Sequence, residues 1–326
     1  MIVDTAYRDL SSHQPFRASL HNHTFKDGAP TARPSVALGV YRQCDIPIVA
    51  ITEHDRRIHP NRDITAGIVP WTDTHWEHGY ADSVLLPGFE ASFPDDHVNV
   101  VGIHYLDVAA TPCTRYGTVA GDPGDPGYVT EMQDRGAITV LNHPAAWNED
   151  PDHVLDDRNL RHCDGIEIYN GSRCGSADRA VATPLWDACL ARGARFLGLA
   201  NPDNHRYDYT RTDRPTNGWN VLFLEELTQS AVLDALRQGR FYATSGLEVD
   251  AIAVEDETIT VTASAADVIR FIGDGGRVLG RVTGGQASYA MTGDEGYVRV
   301  ECETDTLPHP ESDVPMQAWL QPVFLS

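Results

Sequence analysis

One unit recurs between residues 16 and 205 of this sequence: a short apolar run, rich in Val and Ile, that stops at a histidine or an acid. Residues 16–20 lead into His21-Asn22-His23, 46–52 into Glu53-His54-Asp55, and 84–89 into Glu90. Residues 137–141 lead into Asn142-His143-Pro144, 165–169 into Asn170-Gly171, and 196–200 into Asn201-Pro202-Asp203-Asn204-His205. Runs this short, bounded by Gly or Pro, read as buried strands. Helical patterns lie between them at 35–43, 128–135 and 180–192. A fourth, at 229–238, has Thr228 placed as N-cap and Gly239 just past its end. Strands alternating with helices predict βα units around a mainly parallel sheet. Polar residues at successive C-terminal strand ends are the arrangement by which a βα barrel builds its site.

After Gly246 the texture changes. Alternating segments such as 258–262 and 297–301 are separated by turn signals at Gly273-Asp274-Gly275-Gly276, Gly284-Gly285 and Gly293-Asp294-Glu295-Gly296. This predicts a small antiparallel, sandwich-like β domain over 247–326, following a larger unit over 1–246.

Charge and length narrow the partners. Acids outnumber bases 47 to 25 among 326 residues, for a net charge of −22, and Lys26 is the single lysine. Such a balance argues against a long nucleic-acid partner, whose phosphates need many basic contacts, and favours a small-molecule substrate. No run reaches the roughly 18 apolar residues of a membrane helix. Residues 1–12 carry Asp4, Arg8 and Asp9 and do not read as a signal peptide, so no membrane association and a cytoplasmic location are expected. Six cysteines without a C-x-x-C pair are read as reduced and structural.

The chemistry lies in the strand tails. In His21-x-His23 both imidazoles fall on one side of an extended chain and can meet one cation. A lone strand-end histidine is more often a hydrogen-bonded core residue, but His54, His143 and His205 end further strands in the same way. Imidazoles mixed with carboxylates suit zinc, manganese or iron, whereas calcium prefers oxygen shells. Glu90 is placed to bridge two cations. His97 and His104 flank one apolar run, and strand-end geometry favours His97. Lys26, Arg56, Arg57, Arg173 and Arg206 adjoin these motifs and are candidates to hold an anionic substrate group. Glu167 and Asn170 are read as orienting other groups. His59, His75 and His78, with Trp71 and Trp76, occupy a polar loop that would lie at the surface or over the site.

These motifs together resemble the polymerase-and-histidinol-phosphatase (PHP) metal-dependent hydrolases. The matching text is His21-Asn22-His23-Thr24, Asp27-Gly28, Ile51-Thr52-Glu53-His54-Asp55, Gly88-Phe89-Glu90, His97-Val98-Asn99-Val100, Leu141-Asn142-His143-Pro144, Glu167-Ile168-Tyr169-Asn170-Gly171 and Asp203-Asn204-His205, in the family's order across 15–245. The resemblance implies a distorted seven-stranded (β/α)7 TIM-like barrel holding two to three divalent cations (Mn, Zn or Fe). It implies His21, His23, His54, Glu90, His143, Asp203 and His205 as ligands, with Asp27 and His97 completing the set. Asp27 stands one residue earlier than in the family's usual spacing, and Asn201-Pro202 replaces the small residues that usually precede the last motif. Residues 239–246 with the following β module resemble the carbamate-insecticide hydrolase branch.

The expected reaction is hydrolysis by a metal-bound hydroxide, with Asp203 or His205 handling its proton. The favoured substrate is a small phosphorylated molecule. Alternatives are amide, ester or carbamate hydrolysis at the same centre, an iron enzyme using oxygen, and a metal-binding module without catalysis.

Overall fold

A computed structural model describes residues 2–26, 29–30, 32, 34–55, 82–93, 96–108, 127–207 and 214–325 of the chain. The architecture is mixed α/β, with two sheets carrying the strand tails. In one sheet, Gln14–Ser19, Ile48–Ala50 and Val84–Leu86 are parallel neighbours. Trp219–Leu224 runs antiparallel on the other flank of Gln14–Ser19 and pairs in turn with Phe241–Thr244. The second sheet is ordered Leu197–Asn201, Gly165–Asn170, Ile138–Leu141, His97–Val101, Gly88–Ser92. Its first three strands are parallel, and its last two run antiparallel to their neighbours. Ile138–Leu141 and Gly165–Asn170 are buried along their whole length, which is why they read as unbroken apolar runs.

The described residues form no closed seven-stranded barrel. The strand tails lie on two separate sheets, joined by isolated bridges at Asn22↔Asn204 and His54↔Glu90. The breaks fall between Gln14–Ser19 and Leu197–Asn201 and between Ile48–Ala50 and Gly88–Ser92, which those single bridges span. His97–Val101 is antiparallel to both its neighbours, and the 93–96 link before it is far shorter than the dozen or so residues a parallel crossover needs.

The helices follow their sequence signals with one correction. Pro34–Gln43, Tyr128–Asp134 and Gln229–Gln238 form where expected. The Thr228 side chain accepts from the Ala231 N–H, and Gly239 closes that helix in the left-handed region at φ 73°. The single helix expected over 180–192 is instead two, Ala177–Ala180 and Thr183–Leu190. Val181 leaves the helix to form a bridge with Tyr169, Ala182 N–H donates to Ile168 O, and Pro184 starts the next helix. No helix among the described residues is long and apolar enough to cross a membrane, and Cys44, Cys163, Cys174, Cys189 and Cys302 are free thiols.

Beyond residue 250 the strands are antiparallel. Ala251–Glu255, Thr258–Thr262 and Gln286–Ala290 make a three-stranded sheet. Val268–Gly273, Arg277–Thr283, Tyr297–Glu303 and Gln317–Leu320 make another layer, with Val254, Ile259, Val261, Ile269, Phe271 and Val300 in one buried cluster. This layer is continuous with the first sheet, because Gln317–Leu320 pairs with Phe241–Thr244.

A buried ion pair fastens the C-terminal strands to helix Thr183–Leu190. Arg299 donates from Nε to Asp187 Oδ1 at 2.7 Å and from Nη2 to Oδ2 at 2.6 Å, while Tyr297 Oη donates to the same carboxylate. Arg299 is 1% exposed, and Asp187 takes two of its three carboxylate bonds, the third going to Glu301 at 2.9 Å, so removing Asp187 leaves a buried cation under-compensated. Asp187→Ala is therefore expected to cost about 3–5 kcal/mol of unfolding free energy, read from the denaturant midpoint at unchanged slope. A loss within about 1 kcal/mol, the range of an exposed pair, would contradict this account.

Candidate metal centre

Each strand tail brings its polar residue to the same end of the two sheets. Single backbone hydrogen bonds beyond the ladders hold these tails: His23 N–H to Asn204 O, Thr52 N–H to Asn22 O, Glu90 N–H to Glu53 O, and Asn142 N–H to His97 O. His97–Val101 runs antiparallel, so its first residue lies where its neighbours end. The register pairs His97 with Ser92 and Val98 with Leu141. This puts His97, and not His104, beside Glu90.

Glu90 is the focus. Five imidazoles reach its carboxylate, at 2.7 Å (His54 Nδ1), 2.8 Å (His97 Nδ1), 3.3 Å (His143 Nε2), and 3.5 Å for both His21 Nε2 and His23 Nε2. Asp203 forms a second focus, its Oδ1 lying 3.5 Å from His21 Nε2, 3.4 Å from His23 Nε2 and 3.4 Å from His205 Nδ1. His21 and His23 serve both, with their Nε2 atoms 3.1 Å apart. The His23 ring also stacks on His205 at 4.1 Å between centroids.

Two kinds of separation occur. Charge-assisted N–H···O bonds are about 2.7–2.9 Å long. Atoms sharing a cation at about 2.1 Å stand about 3.0–3.4 Å apart, the edge of an octahedron or tetrahedron. Most contacts around Glu90 and Asp203 fall near the second range. His143 Nδ1 is also buried with no hydrogen-bond partner, and Glu90 Oε2, equally buried, lies 2.7 Å from His54 Nδ1. Four overlapping triads can each hold an ion: His21/Glu90/His143, His21/His23/Asp203, His54/Glu90/His97 and His23/His54/His205. The donor set fits divalent cations.

The electrostatics are those of a ligand cage. Burial works against charge on Glu90, but His97, His54 and His21 outweigh it and hold the carboxyl well below the usual range. Burial also opposes charge on His23, yet its hydrogen bonds to Asp203 and Glu53 push its pKa up to about 9. His205 is driven down to about 4 by burial and by His23. His143 and Asp203 sit in the left-handed region at φ 34° and 46°, strain of about 1–3 kcal/mol each that surrounding bonds must hold.

No family model and no curated protein sequence matches the chain. Among solved structures, a two-domain protein from Bacteroides vulgatus, described as containing a predicted PHP-like metal-dependent phosphoesterase, superposes with TM-score 0.51 and 15% identity. The match covers 96% of this chain and 97% of that one. The fold is PHP-like. Endonuclease Q in complex with a DNA duplex bearing an abasic lesion aligns at TM-score 0.46 and 12% identity, over 69% of this chain and 57% of its own.

The PHP-like fold brings His21, His23, His54, Glu90, His97, His143, Asp203 and His205 together. Asp27 and Arg56 lie outside the described residues, as do Arg57 and the loop bearing His59, His75 and His78. Lys26 ends the two-residue strand Phe25–Lys26. Arg206 is exposed, next to His205. Arg173 ends the turn Gly171–Arg173, and its buried Nε has no hydrogen-bond partner. That turn touches the centre through Ser172, whose hydroxyl donates to Asp203 Oδ2 at 3.0 Å. Gly171 is required there, since a Cβ would fall 1.7 Å from Asn217 O.

Carboxylates behind the imidazoles complete the arrangement. Glu167 Oε1 lies 2.7 Å from His21 Nδ1 and accepts from Asn201, while Oε2 accepts from His143 N–H and Asn170. Sequence reasoning missed Glu53, which accepts from the Thr24 hydroxyl at 2.6 Å and lies 3.4 Å from His23 Nδ1. It also missed Trp147, whose ring packs on His97 and His143 with centroids 4.6 and 4.9 Å away. Glu53 adjoins His54 in the motif, and a second acid there was the available signal.

Two outcomes follow for metal affinity measured by chelator competition. Glu53→Ala and Glu167→Ala are each expected to weaken it about 10- to 100-fold, and unchanged affinity in both would remove their orienting role. Uptake must also displace the proton that His23 carries below pH 9, so affinity should fall about tenfold per pH unit for each proton displaced as pH drops. A pH-independent affinity between pH 9 and 6 would contradict the cage electrostatics.

Proposed function

We propose that the chain is a metal-dependent hydrolase whose centre holds two to three divalent cations, and that its substrate is a phosphoester of a small molecule. The observation that carries the hydrolase reading is Glu90, a fully buried carboxylate faced by five imidazoles. His21, His23, His54, Glu90, His97, His143, Asp203 and His205 would hold the ions, with Asp27 as a further candidate. Mn, Zn and Fe suit this donor set. Such ions supply a water that ionises near neutral pH and a Lewis acid for the scissile P=O or C=O.

The chain's own residues supply the rest. Glu167 and Glu53 orient His21 and His23. Asn170 and Ser172 hold one Asp203 oxygen, leaving Oδ1 turned towards the histidines. Asp203 and His205 are the candidates to receive a proton and return it to the leaving group. Arg173, with an unmet donor on the turn that meets Asp203, supports an anionic substrate, and Lys26, Arg56 and Arg206 are further candidates. The phosphoesterase name of the Bacteroides protein agrees with this reading. Residues 1–246 would form the catalytic unit and 247–326 a supporting β module. The net charge of −22 favours a small substrate over a long nucleic acid.

The test is metal content per chain, followed by turnover of aryl phosphates against aryl esters and carbamates. Two or more equivalents of Mn, Zn or Fe, lost in the His21→Ala/Glu90→Ala double variant, are expected. Phosphate release should fall in Glu90→Ala by more than the hundredfold typical of losing an outer partner. Turnover of esters or carbamates alone would replace the phosphoester reading, and a chain that takes up no metal on reconstitution would end both.

A further inference from the structure

Behind the metal centre, a second group of metal-ligating side chains faces a common point. Asp96 immediately precedes strand His97–Val101. Glu149 precedes Asp150, the N-cap of helix Pro151–Asp156, and His153 lies in that helix's first turn with its N–H bonded to Asp150 Oδ1. One ligand atom from each of Asp96, Glu149 and His153 lies within 4.8 Å of the other two. His153 Nε2 is 3.2 Å from Glu149 Oε2 and 3.3 Å from each oxygen of Asp96.

Two observations distinguish this group from a surface ion pair. The Asp96 and Glu149 side chains are only 8% and 10% exposed. His153 Nε2 meets both Asp96 oxygens in a forked hydrogen bond at 3.3 Å, longer than the about 2.7–2.9 Å of a charge-assisted bond and within the about 3.0–3.4 Å edge of a coordination polyhedron. The groups acting on Glu149 are Asp96, His153 and Asp150, and Asp157 acts on Asp96 and His153, so acids outnumber the one imidazole. Burial, with Asp96 next, pushes the Glu149 carboxyl up to about 7.

We propose that Asp96, Glu149 and His153 form a separate divalent-cation site, completed by water on its open side, where His153 is 39% exposed. Two carboxylates and one imidazole suit Mn or Zn. The site would tie the segment bearing His143 and Trp147 to the strand that begins at His97. Trp147 packs on both His97 and His143, so an ion here would brace one wall of the catalytic centre without entering it.

The experiment counts ions on the full chain. Apo protein is titrated by equilibrium dialysis with Mn or Zn to about 1 mM, the range of weak sites, for wild type, His153→Ala and the isosteric Glu149→Gln. Wild type should bind one equivalent more than either variant, and saturating metal should raise its Tm by a few degrees more than theirs. Circular dichroism verifies folding, and Glu149→Gln decides if His153→Ala is unstable. Equal stoichiometry in wild type and a folded variant overturns the site, whatever the Glu90 centre binds. Loss of ions in Glu90→Ala, with one equivalent retained and then removed by adding Glu149→Gln, would separate the two sites completely.

Discussion

Everything at this centre depends on one buried charge. An ionised carboxylate taken out of water costs several kcal/mol unless compensated, and Glu90 is fully buried. Its compensation comes from imidazoles on four other stretches of chain, so those stretches must be held at fixed spacing. The bridges His54↔Glu90 and Asn22↔Asn204 join the two sheets at the positions that carry or adjoin the ligands. Closing the architecture and building the site are therefore done by the same residues. Strained backbone at His143 and Asp203 fits this economy, since a left-handed residue at a strand end turns the chain sharply while keeping its side chain inside.

Much of this was legible in the sequence because burial on both faces writes a strand as an unbroken apolar run, and the site writes a polar stop after it. The run 165–169 ending at Asn170 and the run 137–141 ending before His143 are examples. Direction was harder to read. The 93–96 stretch, too short in sequence for a parallel crossover, was the available clue, and the antiparallel pairing of His97–Val101 explains why His97 rather than His104 reaches Glu90. Glu53 escaped notice because the acid beside His54 is a weak local signal, while the contacts that give it meaning, with Thr24 and His23, lie about thirty positions away. The helix read over 180–192 breaks at Val181 for the same reason: tertiary pairing with Tyr169 overrides local propensity. The closed barrel inferred from resemblance meets two sheets that, among the described residues, are joined only by the bridges Asn22↔Asn204 and His54↔Glu90.

The C-terminal strands bear on the site through physical continuity. Gln317–Leu320 extends the sheet that carries the His21 and His54 strand tails, and Arg299 reaches Asp187 in helix Thr183–Leu190. The loop before Gln317–Leu320 leans on that turn directly: Asp313 N–H donates to Cys174 O, and His309 Nε2 lies 3.7 Å from Cys174 Sγ. Ser172 and Arg173, the residues that link Asp203 to a candidate anion contact, are thus supported from behind by residues more than 130 positions later.

That support has a consequence for how the site tolerates change. A turn held only by its own hydrogen bonds would shift when a substrate anion pulls on Arg173, and Ser172 would move with it, loosening Asp203. Here Gly171 packs against Asn217 O so closely that no Cβ fits, and the 309–313 loop holds Cys174 at the end of the turn. If Arg173 holds a substrate anion as proposed, binding energy spent there would pass to a rigid frame instead of being lost in local rearrangement, which is the condition for a polar contact to position a substrate. The β module would serve chemistry in this way without contributing a ligand: it fixes the turn from which Asp203 is oriented.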